Sequence, residues 1–220
     1  VLPPGKKSHL ISCVTEHSSV LGTMTSLGLD GHTVTLLGVD AEGLIDPDTV
    51  AAAIRPSTRI VSVMAVNSEI GGVQPYAELG QLCRSRGVLF HVDAAQAFGR
   101  VTLDPQHDCI DLMSLSAHKI YGPKGVGALY VSPSARSGLR PLITGGRQQD
   151  GFRAGTLPTP LIVGFGEAAR LMKQEGVAEA AHLMALRTRL WEQLTDQIGG
   201  VHLNGSADHR WVGNLNLRFE

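Results

Sequence analysis

Several kinds of sequence signal are scarce or missing in this 220-residue chain. Its three cysteines (Cys13, Cys83 and Cys109) are too few for a disulfide framework, and no CxxC pair indicates a structural zinc site. No apolar run approaches the roughly 20 residues that span a bilayer, and no signal peptide is visible. The formal net charge of -1 gives no basic excess for nucleic acid. We therefore expect no membrane or nucleic-acid partner, and buried free thiols in a reducing compartment, the cytoplasm.

The remaining composition is that of a globular protein, with 43% hydrophobic and 18% charged residues. Apolar runs predict strands at 9–14, 32–37, 59–66, 88–93, 111–116 and 127–132, alternating with helices at 18–29, 46–54 and 76–86. This order predicts an α/β fold with a mostly parallel sheet flanked by helices. Ligands of such sheets bind beyond the carboxyl ends of the strands. Asp93 and the segment Ser116–Lys119, each at the end of a strand, should therefore face a common pocket.

The last third of the sequence follows a different pattern. A glycine-rich loop at 145–156 precedes two predicted helices, at 161–173 and 177–198, and strand-like segments at 201–203 and 214–219. Four leucines form a stripe on the second helix, which favours packing on the core and leaves a partner surface as the alternative. They are Leu183, Leu186, Leu190 and Leu194. The chain stops inside its last strand pattern, which suggests either a fragment or a chain that lacks a normal C-terminal domain.

Lys119 stands in an unusual place, directly after a predicted apolar strand and before Gly122-Pro123. A lysine amine becomes a nucleophile when the protein lowers its pKa, and Schiff-base formation with pyridoxal 5'-phosphate (PLP) is one use of it. Alternatively, the side chain reaches from the end of the strand into water. The segment alone leaves both interpretations open.

Asp93 ends another predicted buried strand, within the run HVDAAQ at 91–96. PLP enzymes place a carboxylate against the pyridine nitrogen, which keeps that nitrogen protonated. An aspartate here could instead cap the next helix. Asp93 and Lys119 lie on successive strands, as the ring nitrogen and the aldehyde carbon of one cofactor would require. Small residues around both would leave room for a flat ring.

Five segments, in order, resemble cysteine desulfurases, which are class V aminotransferase-like PLP enzymes of fold type I. The segments are TEH at 15–17, VNSEIG at 66–71, HVDAAQ at 91–96, SAHKIYGPK at 116–124 and RAGT at 153–156. Each is weak alone, but together they extend the resemblance from His9 to about Phe219. The likeness is greatest to the group that supplies sulfur for iron–sulfur clusters and tRNA thiolation.

The resemblance implies a role for four residues around the cofactor ring. Lys119 would hold PLP as a Schiff base and move protons at the α-carbon of the substrate. Asp93 would pair with the pyridine nitrogen, and Gln96 would hydrogen-bond the phenolic oxygen. His17 would stack on the ring and take part in catalysis; the alternative is a histidine that only opens a helix.

Four further residues match the family's other cofactor contacts. Ser116 and His118 would hold the phosphate. Thr156 would reach the phosphate of a neighbouring subunit, which implies a homodimer. Ser68 occupies the position of a cofactor-binding asparagine in the family, so its shorter side chain would lose that contact or bridge it through water.

Two other positions depart from the family pattern. Arg147 replaces a glycine of the glycine-rich loop, where an unusual backbone conformation would need glycine. Ala117 replaces the glycine before His118-Lys119, which is a milder change.

The resemblance also implies what lies outside these residues. Residues 1–160 would be the PLP-binding large domain without its N-terminal part, and residues 161–220 the connecting helices and the start of a small C-terminal domain. The nucleophilic cysteine and the arginine for the substrate carboxylate would lie beyond the chain, so the fragment itself would be inactive.

The implied function is removal of sulfur from L-cysteine, giving alanine and an enzyme persulfide for a sulfur-acceptor or scaffold protein. A eukaryotic form would be mitochondrial. The sequence leaves two alternatives open: another fold type I PLP reaction, such as that of a selenocysteine lyase or an aminotransferase, and a non-catalytic relative.

Overall fold

The secondary structure follows local sequence signals over most of the chain. In the computed structural model, which describes residues 7–220, the Asp46 carboxylate caps a helix by accepting hydrogen bonds from the backbone N of Asp48 and Thr49, both at 3.1 Å. The strands are β1 (His9–Cys13), β2 (Thr33–Leu37), β3 (Thr58–Met64), β4 (Leu89–Asp93), β5 (Leu112–Ser116), β6 (Gly127–Val131), β7 (Val201–Leu203) and β8 (Leu217–Phe219). The helices are α1 (Ser18–Leu29), α2 (Pro47–Ala53), α3 (Tyr76–Ser85), α4 (Pro133–Arg136) and α5 (Thr159–Gln197).

Six strands form one sheet in the order β2-β1-β3-β4-β5-β6. The first five run parallel, and β6 pairs antiparallel with β5. Alternate residues of β3 and β4, including Val61, Val63, Phe90 and Val92, are fully buried. The predicted α/β class with a mostly parallel sheet is confirmed.

The chain makes a tight turn directly after β5. Residues Ala117–Ile120 form a 3-10 helix that ends at Tyr121, whose φ of 65° is left-handed. Gly122 donates its backbone N–H to the carbonyl of Ala117 at 2.9 Å, and a Cβ at Gly122 would lie 2.9 Å from that same oxygen. The turn therefore requires a glycine at 122, and it holds Lys119 at the end of the strand.

The prediction of two helices in the last third was wrong. A single helix of 39 residues, α5, runs through the expected break. The gap expected between residues 173 and 177 contains Gly176, but an isolated glycine inside a helix costs only about 1 kcal/mol. A Cβ at this position would lie 3.3 Å from the carbonyl oxygen of Gly99, so the glycine permits close packing of the helix on the turn after β4.

Two smaller expectations for this region also need correction. Leu186 and Leu190 are each 49% exposed, so the leucine stripe is not buried on the core of the described chain. The strand expected at 214–219 is confined to β8, which pairs antiparallel with β7 in a separate two-stranded sheet. The division of the chain into domains at residues 160 and 161 stays a prediction. Within residues 7–220, no helix combines the length and the apolar character needed to cross a membrane.

Two helical glycines give a matched test of this packing. A Cβ at Gly80 in α3 would overlap the backbone carbonyl oxygen of Asp108, whereas a Cβ at Gly22 in α1 would meet nothing within 4 Å. We expect Gly80→Ala to lower the free energy of unfolding by about 2 kcal/mol or more through overpacking. Gly22→Ala should raise it by about 0.5–1 kcal/mol through helix propensity. Urea denaturation of both variants tests the pair, and a neutral Gly80→Ala would contradict the packing of α3 described above.

Candidate active site

A cleft of about 850 Å³ opens at the carboxyl ends of the parallel strands. Seven of the eight predicted site residues line it: His17, Ser68, Asp93, Gln96, Ser116, His118 and Lys119. Thr156 is exposed and lies outside the lining. The expectation that Asp93 and Ser116–Lys119 face one pocket is met by this geometry.

Lys119 and Asp93 approach the cleft from neighbouring strands. Asp93 is the last residue of β4 and pairs in register with Ser114 of β5, five residues before Lys119. One Asp93 oxygen, Oδ1, accepts a hydrogen bond from the backbone N of Ala95 at 3.0 Å. The backbone carbonyl of Lys119 accepts from Arg100 Nη2 at 2.6 Å. These bonds fix the positions of both residues, and the lysine amine stays free of hydrogen bonds to the described residues.

His17 plays a capping role and also lines the cleft. It is the N-cap of α1, where its Nδ1 accepts hydrogen bonds from the backbone N of Ser19 at 3.2 Å and faces the Ser19 hydroxyl at 2.9 Å. An Nδ1 that accepts from a backbone N–H places the proton of the neutral ring on Nε2. The two interpretations of His17 are therefore compatible, because the cap holds the ring at the mouth of the cleft.

The remaining polar groups of the cleft are also oriented by neighbours. The side-chain oxygen of Gln96 accepts from Arg100 Nη1 at 2.6 Å. The Ser116 hydroxyl and His118 Nδ1 lie 3.0 Å apart at the turn that carries Lys119. Together these residues line the cleft with an amine, a carboxylate, an amide, a hydroxyl and two imidazoles.

Three residues depart from the pattern of the cysteine desulfurases, and the structure shows the surroundings of each. The Ser68 hydroxyl donates to Glu69 Oε1 at 3.1 Å. Arg147 is exposed and does not have a positive φ, whereas Gln149 (φ 52°) and Asp150 (φ 57°) do. Position 147 itself therefore does not need the backbone conformation of glycine, whereas Gly145 (φ 110°) on its N-terminal side has a positive φ. Ala117 is fully buried without a positive φ, so the methyl group fits.

Comparison with known proteins assigns the chain to a family. The model of the family described as aminotransferase class-V matches residues 2–220. The chain belongs to the class-V aminotransferases.

Individual relatives of this class-V aminotransferase chain carry desulfurase names. It is 50% identical over 214 residues to the mitochondrial cysteine desulfurase of Eremothecium gossypii, an alignment covering 97% of this chain and 44% of the relative. It is 49% identical to the cysteine desulfurase IscS of Rickettsia bellii, with 97% and 52% covered. The solved structure of SspA in complex with cysteine is 40% identical with a TM-score of 0.85, with 97% and 59% covered. The chain therefore spans about half the length of the curated relatives it matches.

A buried polar row beneath Asp93 was not anticipated from the sequence. His91 lies two residues before Asp93 on β4, and its Nδ1 and Nε2 lie 2.8 Å from the hydroxyls of Ser62 and Ser114 respectively. Burial lowers the pKa of His91, against a smaller opposing effect of the Asp93 charge. The row therefore gives this class-V aminotransferase a neutral floor for its cleft. Period-two spacing from Asp93 is the signal that could have identified His91.

Glu16 is a second group whose role the sequence did not reveal. It is only 5% exposed, its Oε1 accepts from the backbone N of Met64 at 2.5 Å, and its Oε2 is buried without a partner among the described residues. Burial raises the pKa of Glu16 to about 8; the Met64 hydrogen bond opposes this, and the Asp93 charge adds to it. The protein therefore holds a neutral carboxyl beside the cleft at neutral pH.

The neutral state of Glu16 should appear in the pH dependence of stability. Its pKa is raised from 4.5 to about 8, so its stabilising contribution is complete below pH 4.5 and is lost as the pH rises to about 8. Across that window the unfolding free energy should fall by up to about 1.4 kcal/mol per pH unit from this group alone. Glu16→Gln keeps the acceptor oxygen and removes this slope.

Urea denaturation at several pH values across that window measures the difference between the parent and Glu16→Gln. The exposed Glu42 provides the matched control, since Glu42→Gln should follow the parent. Equal slopes in the parent and Glu16→Gln would mean that Glu16 is ionised in the fold.

Proposed function

We propose that the chain forms the cofactor-binding part of a PLP-dependent cysteine desulfurase. The observation that carries the proposal is the convergence of Lys119 and Asp93, from neighbouring strand ends, on one cleft that five further matching residues line. The desulfurase names of relatives near 50% identity support the same reaction. The cysteine bound in the SspA structure supports L-cysteine as the substrate.

The residues of the cleft suit a flat cofactor with an acidic ring nitrogen and a phosphate. Asp93 offers a carboxylate for a protonated ring nitrogen, and Gln96 an amide for a ring oxygen. Ser116 and His118 offer donors to a phosphate at the turn that carries Lys119. A Cβ at Gly127 would lie 2.5 Å from the carbonyl oxygen of Leu115, so glycine allows β6 to approach closely the strand that leads to Lys119.

PLP supplies an electron sink that stabilises negative charge at the α-carbon of a bound amino acid. The chain's own residues supply the proton transfers and the orientation. Lys119 Nζ would take the proton from the α-carbon and return one to the product, and the Asp93 carboxylate would hold the ring nitrogen of the cofactor. The His17 ring lines the cleft, and its Nδ1 is occupied by the hydrogen bond from the backbone N of Ser19. Its Nε2–H therefore remains available to a ligand.

The reaction needs a thiol that accepts the sulfur, and residues 7–220 place no thiol in the cleft. Cys13, Cys83 and Cys109 are all buried and none lines the cleft. Burial also raises the pKa of the Cys83 thiol to about 12, which disfavours the thiolate needed for attack. The proposal therefore requires another thiolate, which would attack the substrate sulfur. An S–S bond would form as the Cβ–S bond breaks, the electron pair of the broken bond would stay with the amino-acid fragment, and protonation of that fragment would give alanine.

The proposed partners rest on the resemblance to cysteine desulfurases. We place Thr156, exposed and outside the cleft, at the site of a second copy in a homodimer. A sulfur-acceptor or scaffold protein would receive the persulfide sulfur. The compartment would be the cytoplasm, or the mitochondrion as for the Eremothecium relative.

The lysine assignment is tested by absorption spectroscopy. We expect the purified protein with added PLP to show a band near the edge of the visible range, and Lys119→Ala to lose it, because the band requires a bond to Lys119 Nζ. The exposed Lys173 of α5 is the control, and Lys173→Ala should keep the band. Should the 220-residue chain show none, the full-length gene product is measured, and absence of the band there contradicts PLP binding.

The reaction itself is tested with the full-length gene product and L-cysteine. A desulfurase yields alanine and, with added dithiothreitol, sulfide in equal amounts. Alanine from selenocysteine alone would indicate a lyase of that substrate, and a keto acid would indicate an aminotransferase. Binding of PLP without any of these products would indicate a non-catalytic relative.

Ser68 provides a test of the cofactor contact that this chain lacks. Ser68→Asn would place a longer amide at the rim of the cleft, where the serine hydroxyl now donates to Glu69. We expect PLP to bind about 3- to 10-fold more tightly, the range of one added hydrogen bond. Equilibrium dialysis measures the affinity, and Ser68→Leu controls for size alone. An unchanged affinity in Ser68→Asn would mean that position 68 does not reach the cofactor.

A further inference from the structure

Arg100 joins two of the site residues without lining the cleft itself. Its Nη1 donates to the side-chain oxygen of Gln96, and its Nη2 donates to the backbone carbonyl of Lys119, both at 2.6 Å. The residue follows β4 by seven positions, at the end of a series of turns. We call this pair of hydrogen bonds the Arg100 bridge.

The guanidinium of Arg100 is held in place from the opposite side by the C-terminal segment. Its Cζ lies 4.3 Å from the centroid of the Trp211 ring, within cation–π distance. A Cβ at Gly213 would overlap that ring, so the glycine leaves the space in which Trp211 lies. Trp211 also packs on the hydrophobic core. A stacked, doubly bonded guanidinium has little freedom to move.

The charge of Arg100 is balanced by groups on two other elements. Burial lowers the pKa of Arg100, while the nearby Tyr121 and Glu179 oppose that change. The Tyr121 hydroxyl also donates to Glu179 Oε1. A guanidinium stays charged at any ordinary pH, so the bridge carries a positive charge behind Gln96.

The bridge decides which atom of Gln96 faces the cleft. Arginine has donors and no acceptor, so the atom that meets Nη1 must be the amide oxygen. The amide nitrogen, with two N–H donors, is then the group left for a ligand in the cleft. An unrestrained glutamine could offer either atom.

We propose that Arg100 is a positioning residue of this site, which fixes the Gln96 amide as a donor toward an oxygen of the cofactor ring. The inference rests on the proposed function, and it goes further by assigning a role to a residue outside the cleft. The positive charge of Arg100 next to the Gln96 amide strengthens the amide N–H groups as donors. The other hydrogen bond of Arg100, to the backbone carbonyl of Lys119, is also 2.6 Å long and holds the turn that carries this lysine.

The expected effect concerns the proton on Lys119 Nζ once the cofactor is attached. A donor and a positive charge near the ring oxygen favour the form without that proton. Arg100→Met should therefore raise the pH midpoint of the visible band. Because a charge-assisted hydrogen bond is lost in Arg100→Met, we expect the proton affinity of Lys119 Nζ to rise about threefold or more in this variant. This corresponds to an increase of about half a pH unit in the midpoint.

The experiment titrates the Lys119-dependent band in the PLP-loaded full-length protein, with thermal unfolding recorded for each variant. The control Arg84→Met removes an exposed arginine of α3 and should leave the midpoint unchanged. A double-mutant cycle with Gln96→Leu isolates the path of the effect. If Arg100 acts through Gln96, the shift caused by Arg100→Met shrinks by half or more in that background. Arg100→Lys, which keeps the charge and one donor, should give a smaller shift.

Each outcome separates the possibilities. An unchanged midpoint in Arg100→Met, in a parent that shows the band, would overturn the positioning role and leave the proposed function intact. An equal shift in the Gln96→Leu background would overturn the path through Gln96. A parent without the band would remove the proposed function, and this inference with it. Should Arg100→Met fail to fold, Arg100→Gln decides, because it also removes the positive charge, and an unshifted midpoint in that variant overturns the proposal.

Discussion

The parallel pairing of β4 with β5 is the constraint on which the rest of the site depends. Their register sets Asp93 opposite Ser114, so that the carboxylate and the turn of Lys119 leave the sheet at the same edge. A slip of one residue would turn Asp93 to the opposite face and separate the two groups. The antiparallel strand β6 covers β5 on its other side, where Ser116 pairs with Gly127, and the absent side chain of that glycine lets the backbones approach. The hydrogen bonds between the strand backbones therefore fix the positions from which the Asp93 and Lys119 side chains leave the sheet. Side-chain contacts alone would leave these positions more variable.

Beneath that edge the protein buries polar groups that a core built for stability would not contain. His91 between two serine hydroxyls and the carboxyl of Glu16 with one unpartnered oxygen occupy positions that apolar residues could fill. Such groups cost free energy unless they are hydrogen-bonded or neutral, and burial shifts the pKa of each toward its neutral form. One consequence is electrostatic. Because His91 and Glu16 are neutral, neither of them adds a charge next to the Asp93 carboxylate.

The sequence was sufficient for what depends on local pattern and strand order. Alternating apolar runs located the six strands of the main sheet, and the rule that ligands bind at strand ends was enough to bring Asp93 and Lys119 together. Sequence reasoning failed where a long-range contact decides the outcome. The sequence predicts a helix break between residues 173 and 177, but α5 runs through it, with Gly176 packed against the backbone of Gly99. The contacts of Arg100 join residues up to 111 positions apart, from Trp211 to the turn after β4, and no spacing rule predicts such a pair.

The C-terminal segment contacts residues next to the cleft in two places. The side-chain amides of Asn214 and Asn216 donate to the backbone carbonyl of Glu69, at 3.0 and 3.1 Å, directly beside Ser68. Trp211 lies over the guanidinium of Arg100, which is hydrogen-bonded to Gln96. One short segment that does not line the cleft therefore supports neighbours of two residues that do.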